Sequence, residues 1–297
     1  MRTRVTRVVL PVMLTLTSAA PASGQPTEPS DFALTVSPTR VIVPADQIER
    51  PREFTVTNHG RAPIDILVRK ASFTAGRDGE LRFRPDAPHS AVEWVTARPD
   101  SFRLDGGAAR QVSLRIALPA AAEPGEHQVA VIFSVPPRPG GASIGVRRSV
   151  GAPVYVTVPG HAVESVDVTS LRAPGFAVRG PLAVTATVRN LGTVRRDFLG
   201  DGRLRARVAG DSVPFPDFTL LRGADREVSA RWADPPLACV CRVTVAVVGS
   251  DGVTRDATAT IVVLPLHLIG SGAALVVALL LGWLLVRRRR RSRPFPC

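Results

Sequence analysis

The chain has 297 residues, of which 45% are hydrophobic, 5% aromatic and 21% charged. This length and apolar content suit two modest folded domains beside targeting segments, and they exclude an intrinsically disordered protein. The formal net charge is +13, but nine arginines near the two ends leave only +4 for everything between them. Arginines and acids alternate in that central part, so no basic block is present that would follow a phosphate backbone, and we expect no nucleic-acid binding.

Residues 1–24 have the three parts of a secretory signal peptide. Three arginines lie among the first seven residues, and an apolar run over 8–20 is too short to span a membrane and remain there. Small residues at Ala22 and Gly24 then predict cleavage before Gln25.

The segment 31–160 is predicted to be an immunoglobulin-like domain. Apolar and polar residues alternate at Phe54–Thr57 and Val112–Ile116, and these segments are predicted to be half-buried β-strands, as is Val129–Phe133. The longest predicted strand is Ser143–Pro159, where alternate residues are apolar except at Arg148. Glycine- and proline-rich turns separate the strands, and this spacing is typical of a β-sandwich.

An internal repeat predicts a second immunoglobulin-like domain at 161–264. The segments 56–60, 110–115 and 129–131 recur in the same order at 188–192, 226–231 and 243–245. The offset falls from 132 to 116 between the first two matches, so the first domain contains about 16 extra residues there. We expect these to form a hairpin from Phe73 to Phe83 around Asp78-Gly79. The predicted fold class is therefore all-β, with two tandem sandwiches.

Cys239 and Cys241 lie in the part of the chain that is expected to be exported, where disulfides persist. Residues two apart in an extended strand have Cα atoms ~6.5–7 Å apart, at the limit for a disulfide. Pro235-Pro236 precede the pair and could turn the chain enough to close a bridge. A Cys239–Cys241 disulfide, two free thiols and a redox pair all remain open at this stage.

The segment 266–286 is predicted to be a transmembrane helix, since His267 is the only ionisable residue among its 21 residues. The five consecutive arginines Arg287–Arg291 follow at once and open a basic tail, 287–297. Basic residues stay on the cytoplasmic side, so residues 25–265 are expected to be extracellular or periplasmic. The chain is thus predicted to be a single-pass membrane protein.

We find no catalytic, cofactor-binding or metal-binding motif. The five histidines lack metal-ligand spacing and are expected to be solvent-exposed, and no nucleophile elbow or phosphate-binding glycine loop is present. The sequence therefore predicts a protein that is not an enzyme.

Two stretches carry a resemblance to a known family. Val36-Ser-Pro-Thr-Arg40 followed by Phe54-Thr-Val-Thr-Asn58-His-Gly60 resembles the opening of PapD-like immunoglobulin domains. These include periplasmic pilus chaperones and the outer domains of WxL-interacting proteins, which are thought to hold surface proteins and to contact peptidoglycan. The order of signal, two sandwiches, membrane helix and basic tail is most similar to the WxL-interacting proteins.

The resemblance implies a partner-binding site. In pilus chaperones an arginine in the first strand and a lysine late in the last strand hold a carboxylate, and Arg40 matches the first, whereas 153–158 has no cation. The strand that contains Ile144 and Val146 could receive an extended segment of a partner, with Arg40 beside it. Alternatively, Arg147 and Arg148 blunt this strand against pairing.

Two functions follow from these expectations. The first is a membrane-anchored surface protein that binds another exported or surface protein, or peptidoglycan. The alternative is a membrane-tethered chaperone for exported subunits. An open sheet edge would favour the chaperone.

Overall fold

The computed structural model describes residues 33–136, 148–250 and 252–291 of the chain. They form 21 β-strands followed by one α-helix, with short 3-10 turns at Ala45–Gln47 and Gly200–Gly202. The predicted signal peptide, 1–24, lies outside the described residues.

The first sandwich consists of the strands β1 (Leu34–Ser37), β2 (Val41–Val43), β3 (Arg52–Asn58), β4 (Ile64–Ala71), β5 (Phe73–Ala75), β6 (Leu81–Phe83), β7 (Val95–Arg98), β8 (Ser101–Leu104), β9 (Ala109–Ile116), β10 (Gly125–Val135) and β11 (Arg148–Val158). Its two sheets have the strand orders β1-β3-β9-β7 and β2-β11-β10-β4-β8, and β5 and β6 form a separate hairpin. The chain begins on one sheet as β1 and moves to the other as β2, which runs parallel to β11.

The second sandwich consists of β12 (Val166–Arg172), β13 (Phe176–Ala177), β14 (Leu182–Asn190), β15 (Arg196–Phe198), β16 (Arg205–Val208), β17 (Asp211–Pro214), β18 (Phe218–Leu220), β19 (Asp225–Trp232), β20 (Cys239–Val248) and β21 (Thr254–Val263). Its main sheets have the orders β12-β14-β19 and β13-β21-β20-β16-β17. Here too the chain begins on one sheet and moves to the other, where β13 runs parallel to β21. Two antiparallel sandwiches with this shared strand order confirm the predicted fold class of tandem immunoglobulin-like domains.

Each sandwich has its own apolar core. In the first, Phe54 and Phe133 are fully buried and meet edge to face, with ring centroids 5.6 Å apart. In the second, Phe215, Trp232 and Ile261 are buried between the sheets. Each such side chain contributes about 1.5–3 kcal/mol on burial, which is why alternating apolar residues dictate the strand faces.

The internal repeat occupies equivalent positions in the two sandwiches. Val56 of β3 is the register partner of Arg110 of β9, and Val188 of β14 is the partner of Arg226 of β19. The third match lies in β10 and β20, the strands that pair with the last strand of each sandwich. The domain limits 31–160 and 161–264 stay a prediction, although the strands run from Leu34 to Val158 and from Val166 to Val263.

The hairpin β5–β6 joins the two sandwiches. Its turn contains Gly79, at a φ of 83°, and a Cβ there would overlap the Arg226 guanidinium. The main-chain oxygen of Arg77 accepts a hydrogen bond of 2.8 Å from the Glu227 N–H, and an Arg77 nitrogen lies 3.6 Å from a carboxylate oxygen of Asp225. Phe73, at the base of the hairpin, is fully buried in the core of the second sandwich. The extra segment of the first domain therefore forms part of the junction between the domains.

The last element is α1 (Leu266–Arg291), which continues five residues beyond the predicted end of the apolar span. Arginine is a good helix former, and no glycine or proline interrupts Arg287–Arg291, so the helix has no reason to stop at Val286. By length and composition, Leu266–Arg288 is the one helix among the described residues that could cross a membrane.

Candidate partner-binding site

The outer edge of β11 is open near its start. Strand β11 pairs with β10 along its whole length, whereas β2 pairs with it only at Val154–Val156. No strand of the described part of the chain covers residues 149–153 on that side. This edge, which we call the open edge, consists of residues 149–153.

The backbone direction at the open edge follows from the hydrogen bonds of β10. The N–H of Gln128 donates to His89 O, away from β11, so the odd-numbered residues of β10 bond to β11. Their register partners are even-numbered, for example Val129 with Val154. The N–H and C=O groups of Ser149 and Gly151 therefore point away from β10, toward the free edge in the plane of the sheet. Pro153 faces the same way, and proline is tolerated at such an edge position.

Arg40 lies at the inner end of the open edge. It immediately precedes β2, whose first residue Val41 is the register partner of Val154. Its guanidinium nitrogen Nη1 is 3.9 Å from Oδ1 of Asp197 in the second domain, and the Arg40 side chain is 38% exposed. The same oxygen accepts a hydrogen bond of 2.5 Å from Thr219 Oγ1. The Arg40 guanidinium is therefore a solvent-facing cation beside the open edge, and its neighbouring acid, Asp197, also accepts a hydrogen bond from Thr219.

A buried ion pair lies behind Arg40 at the domain junction. Arg195 donates to Glu126, and the Arg195 guanidinium also lies over the Tyr155 ring, 5.0 Å from its centroid. Burial raises the pKa of the Glu126 carboxyl, and Arg195 partly opposes that rise. Burial likewise raises the pKa of the Tyr155 hydroxyl to about 12. These groups contact one another across the domain junction, and Arg40 is the exposed cation beside them.

A cavity of ≈ 410 Å³ opens beside this network. Its walls come from both domains and are Ile42, Pro44, Glu126, Thr157, Glu164, Val194, Arg195, Arg196 and Asp197. Acids and arginines alternate around it, so it has no single charge preference.

The other two predicted partner-binding residues, Ile144 and Val146, lie outside the described residues. The strand predicted at Ser143–Pro159 is seen as β11, Arg148–Val158. Within it, Ala152, Val154 and Val156 are buried on one face, as the alternation predicts.

Two expectations about the neighbouring strand β10 are wrong. Val129–Phe133 is not half-buried but buried on both faces almost throughout, because the second domain covers the outward side at Ala130. His127 is buried rather than exposed, and its Nε2–H donates to Glu123 O at 2.8 Å. The continuous apolar run itself is the signal that could have indicated burial on both faces.

His127 belongs to a second polar cluster at the domain junction. Its ring is 4.5 Å from the Trp94 ring and 6.0 Å from the His89 ring. The buried Arg222 of the second domain donates to a carboxylate oxygen of Glu123 at 2.5 Å. Burial lowers the pKa of both histidines, and the positive charge of Arg222 adds to the effect.

Cys239 and Cys241 open β20, and the structure joins them by a disulfide. Their Cα atoms are 5.4 Å apart, closer than the spacing of an extended strand and within the range that a disulfide spans. Across the described residues, no group of three or more histidine, cysteine or acidic side chains could hold a metal ion.

The sequence matches no protein-family model and no curated protein sequence. Solved structures similar to this chain include the YadV chaperone, at 14% identity and a TM-score of 0.41 over 76% of this chain and 98% of that one. The E. coli chaperone DraB has 16% identity and a TM-score of 0.40 over 77% and 98% of the two chains. The SafB chaperone, solved with the SafA pilin of Salmonella enterica, has 14% identity and a TM-score of 0.40 over 77% and 96%.

The likeness to WxL-interacting proteins is not confirmed. The two-sandwich fold itself is established by the strand orders of this chain.

Proposed function

We propose that this protein is a membrane-tethered binding protein, not an enzyme, that captures an extended segment of another exported protein at the open edge of β11. The observation that carries the proposal is the outward-facing N–H and C=O groups of Ser149 and Gly151, which have no partner strand among the described residues. A segment added there would complete the sheet, with main-chain hydrogen bonds supplying affinity and alternate side chains supplying selectivity.

Arg40 supplies a direction for the captured segment. Strand β2 already runs parallel to β11 at Val154–Val156, and a segment that runs the same way along 149–153 would end beside Arg40. A chain-terminal or side-chain carboxylate at that end would then pair with the exposed guanidinium. The partner is thus proposed to be a protein segment with an acidic or carboxyl-terminal end.

The tether is proposed to be α1, with the two sandwiches extracellular or periplasmic and the arginine tail in the cytoplasm. The apolar length of the helix and the arginines at its end support this orientation.

A chaperone would release its cargo to an assembly, whereas a surface receptor would retain it. The resemblance to pilus chaperones makes release the first activity to test. In the described residues no feature favours peptidoglycan over protein as the ligand.

The open edge can be tested with two variants of one residue. The intact protein is purified from its own membrane and the captured partner is identified, after which Gly151→Pro and Gly151→Ala are compared. Proline removes the outward N–H and should abolish capture. Alanine keeps that N–H, and a Cβ at this position meets no described atom within 4 Å, so capture should persist. Equal capture by both variants would place the binding surface elsewhere.

Arg40 is tested by the same assay. Arg40→Ala should weaken capture about tenfold or more, as expected for the loss of a charge-assisted hydrogen bond of 1.5–3 kcal/mol. The matched control is Arg103→Ala on β8, at the opposite edge of the same sheet, where the side chain is 64% exposed. The role of Arg40 is refuted if the two variants bind equally well.

A further inference from the structure

The second sandwich is joined to α1 by an unusually short connection. The N–H of Val262 donates to Gly175 O at 3.1 Å, and the N–H of Leu264 donates to Ala177 O at 2.9 Å. The sandwich is thus hydrogen-bonded up to Leu264, and only Pro265 separates that residue from the first residue of the helix. Two residues span at most about 7 Å, so this end of the sandwich stays next to the start of α1.

Exposed apolar side chains lie at this same end. Phe176 of β13 and Val240 of β20 are both register partners of Val262, so the three side chains share one face of the sheet as an apolar row. Phe176 is 49% exposed and Val240 is 77% exposed, and Leu237 in the preceding loop is 74% exposed. The Cys239–Cys241 bridge flanks Val240 on both sides and fixes its position.

The same face becomes polar with distance from α1. The next row along β20 and β21 is Arg242 beside Thr260, followed by Thr244 beside Thr258. Each step of two residues is about 6.8 Å along the strand. Arg242 is exposed, as are Arg179 and Asp234 in the loops at this end. On this face, apolar residues lie nearest the helix, and Arg242 lies two residues farther from it. A bilayer has the same order, with acyl chains inside and charged headgroups outside.

We propose that this end of the second domain rests in the interfacial layer of the outer leaflet, with Phe176, Leu237 and Val240 among the lipid headgroups. The inference rests on the proposed tether, that is, on α1 spanning the membrane. The layer between hydrocarbon and water is about 5–7 Å thick on each side of a bilayer. Val262 lies four residues before Leu266 and so at most about 14 Å from the start of the span. That distance lets the exposed apolar row reach the interfacial layer, and the bilayer is its proposed occupant.

The test uses the full chain in proteoliposomes that contain lipids brominated near the headgroup. The Trp283→Phe parent retains Trp94 and Trp232, so the emission that each new tryptophan adds to this parent is measured. Phe176→Trp and Val240→Trp are compared in this way with the control Val248→Trp. Val248 lies on the same face of β20, 60% exposed, and about 27 Å farther along the strand. Brominated lipid should quench the first two variants and leave the control unchanged. Because Phe176 and Val240 are exposed and lie in separate strands, one variant still tests the proposal if the other fails to fold.

Failure of the tether and failure of this inference give different results. Native Trp283 lies three residues before the end of the apolar span, near the opposite membrane interface, and the emission difference between the native chain and Trp283→Phe reports insertion of α1. Quenching of Trp283 without quenching at positions 176 and 240 overturns the interfacial docking alone. No quenching of Trp283 overturns the tether and the docking together. A blue-shifted but unquenched Phe176→Trp emission would show that protein covers the apolar row instead, which also overturns the proposal.

Discussion

Two buried asparagines make the same set of hydrogen bonds in the two domains. Asn58 Nδ2 donates to Ala62 O at 2.9 Å and to Leu104 O at 3.2 Å, and its Oδ1 accepts from Gly60 N. Asn190 donates to Val194 O at 2.8 Å and Leu220 O at 3.2 Å and accepts from Gly192 N. The repeated Val-x-Asn-x-Gly segment is thus a turn that one amide side chain organises.

Asn58→Ala should destabilise the first domain by about 2–4 kcal/mol, because it leaves several buried carbonyl groups unpaired. Asn190→Ala should do the same to the second domain. Thermal unfolding of the full chain measures both effects. His59→Ala, next to Asn58 and exposed, is the control and should change stability by less than about 0.5 kcal/mol. Similar stabilities for Asn58→Ala and His59→Ala would refute the structural role of the amide.

His127 predicts a pH dependence of the domain junction. Burial holds its pKa below the ordinary value of 6.5, so the unfolded chain takes up a proton at higher pH than the folded one. The stability of the folded chain that depends on a neutral His127 is therefore fully present above pH 6.5 and is lost as the pH falls. The raised pKa of Glu126 acts in the opposite direction, so the comparison must be made against a variant.

His127→Gln keeps a donor toward Glu123 O but does not titrate. Between pH 7.5 and pH 5.5 the free energy of unfolding should fall more for wild type than for the variant. Denaturant unfolding at both pH values measures this difference. The exposed His161→Gln is the control and should follow wild type at both pH values. An unchanged difference between His127→Gln and wild type across this range would contradict the assignment.

At the scale of elements, the strands were largely predictable because alternation reports directly which face is buried. Phe54–Thr57, Val112–Ile116 and Val129–Phe133 all lie in strands, and the hairpin around Asp78-Gly79 is present as β5–β6. What alternation cannot report is which neighbour covers the outward face. The docking of Phe73 on the second core and the burial of His127 are contacts between residues far apart in sequence, and no local pattern encodes them.

The start of β20 carries a prediction about cysteine chemistry. If Cys239 and Cys241 are bridged in solution, the denatured unreduced chain should show one reactive thiol, that of Cys297. Reduction should cost far less than the roughly 3 kcal/mol expected for a 15-residue loop, because so short a loop removes little entropy from the unfolded chain. Thiol labelling and unfolding with and without reductant measure both quantities. Three labelled thiols would rule out the bridge.

At the scale of the whole molecule, orientation across the membrane is the first property to establish. Protease added outside intact cells stripped of their wall should digest the sandwiches and leave a tag placed after Cys297 protected, since the arginine block stays cytoplasmic. The mature chain should begin near Gln25. Digestion of the tag would contradict the proposed orientation, and a chain that begins at Met1 would make the first apolar run an anchor.

The hairpin β5–β6 has a mechanical consequence for the whole molecule. It contacts Arg226 and Glu227 of the second sandwich, so the two domains are joined by direct contacts as well as by the chain between them. If α1 spans the membrane as proposed, Pro265 alone separates these joined domains from the start of the span. The proposed capture at the open edge of β11 would then take place within a limited range of heights above the bilayer, set by the size of the two sandwiches.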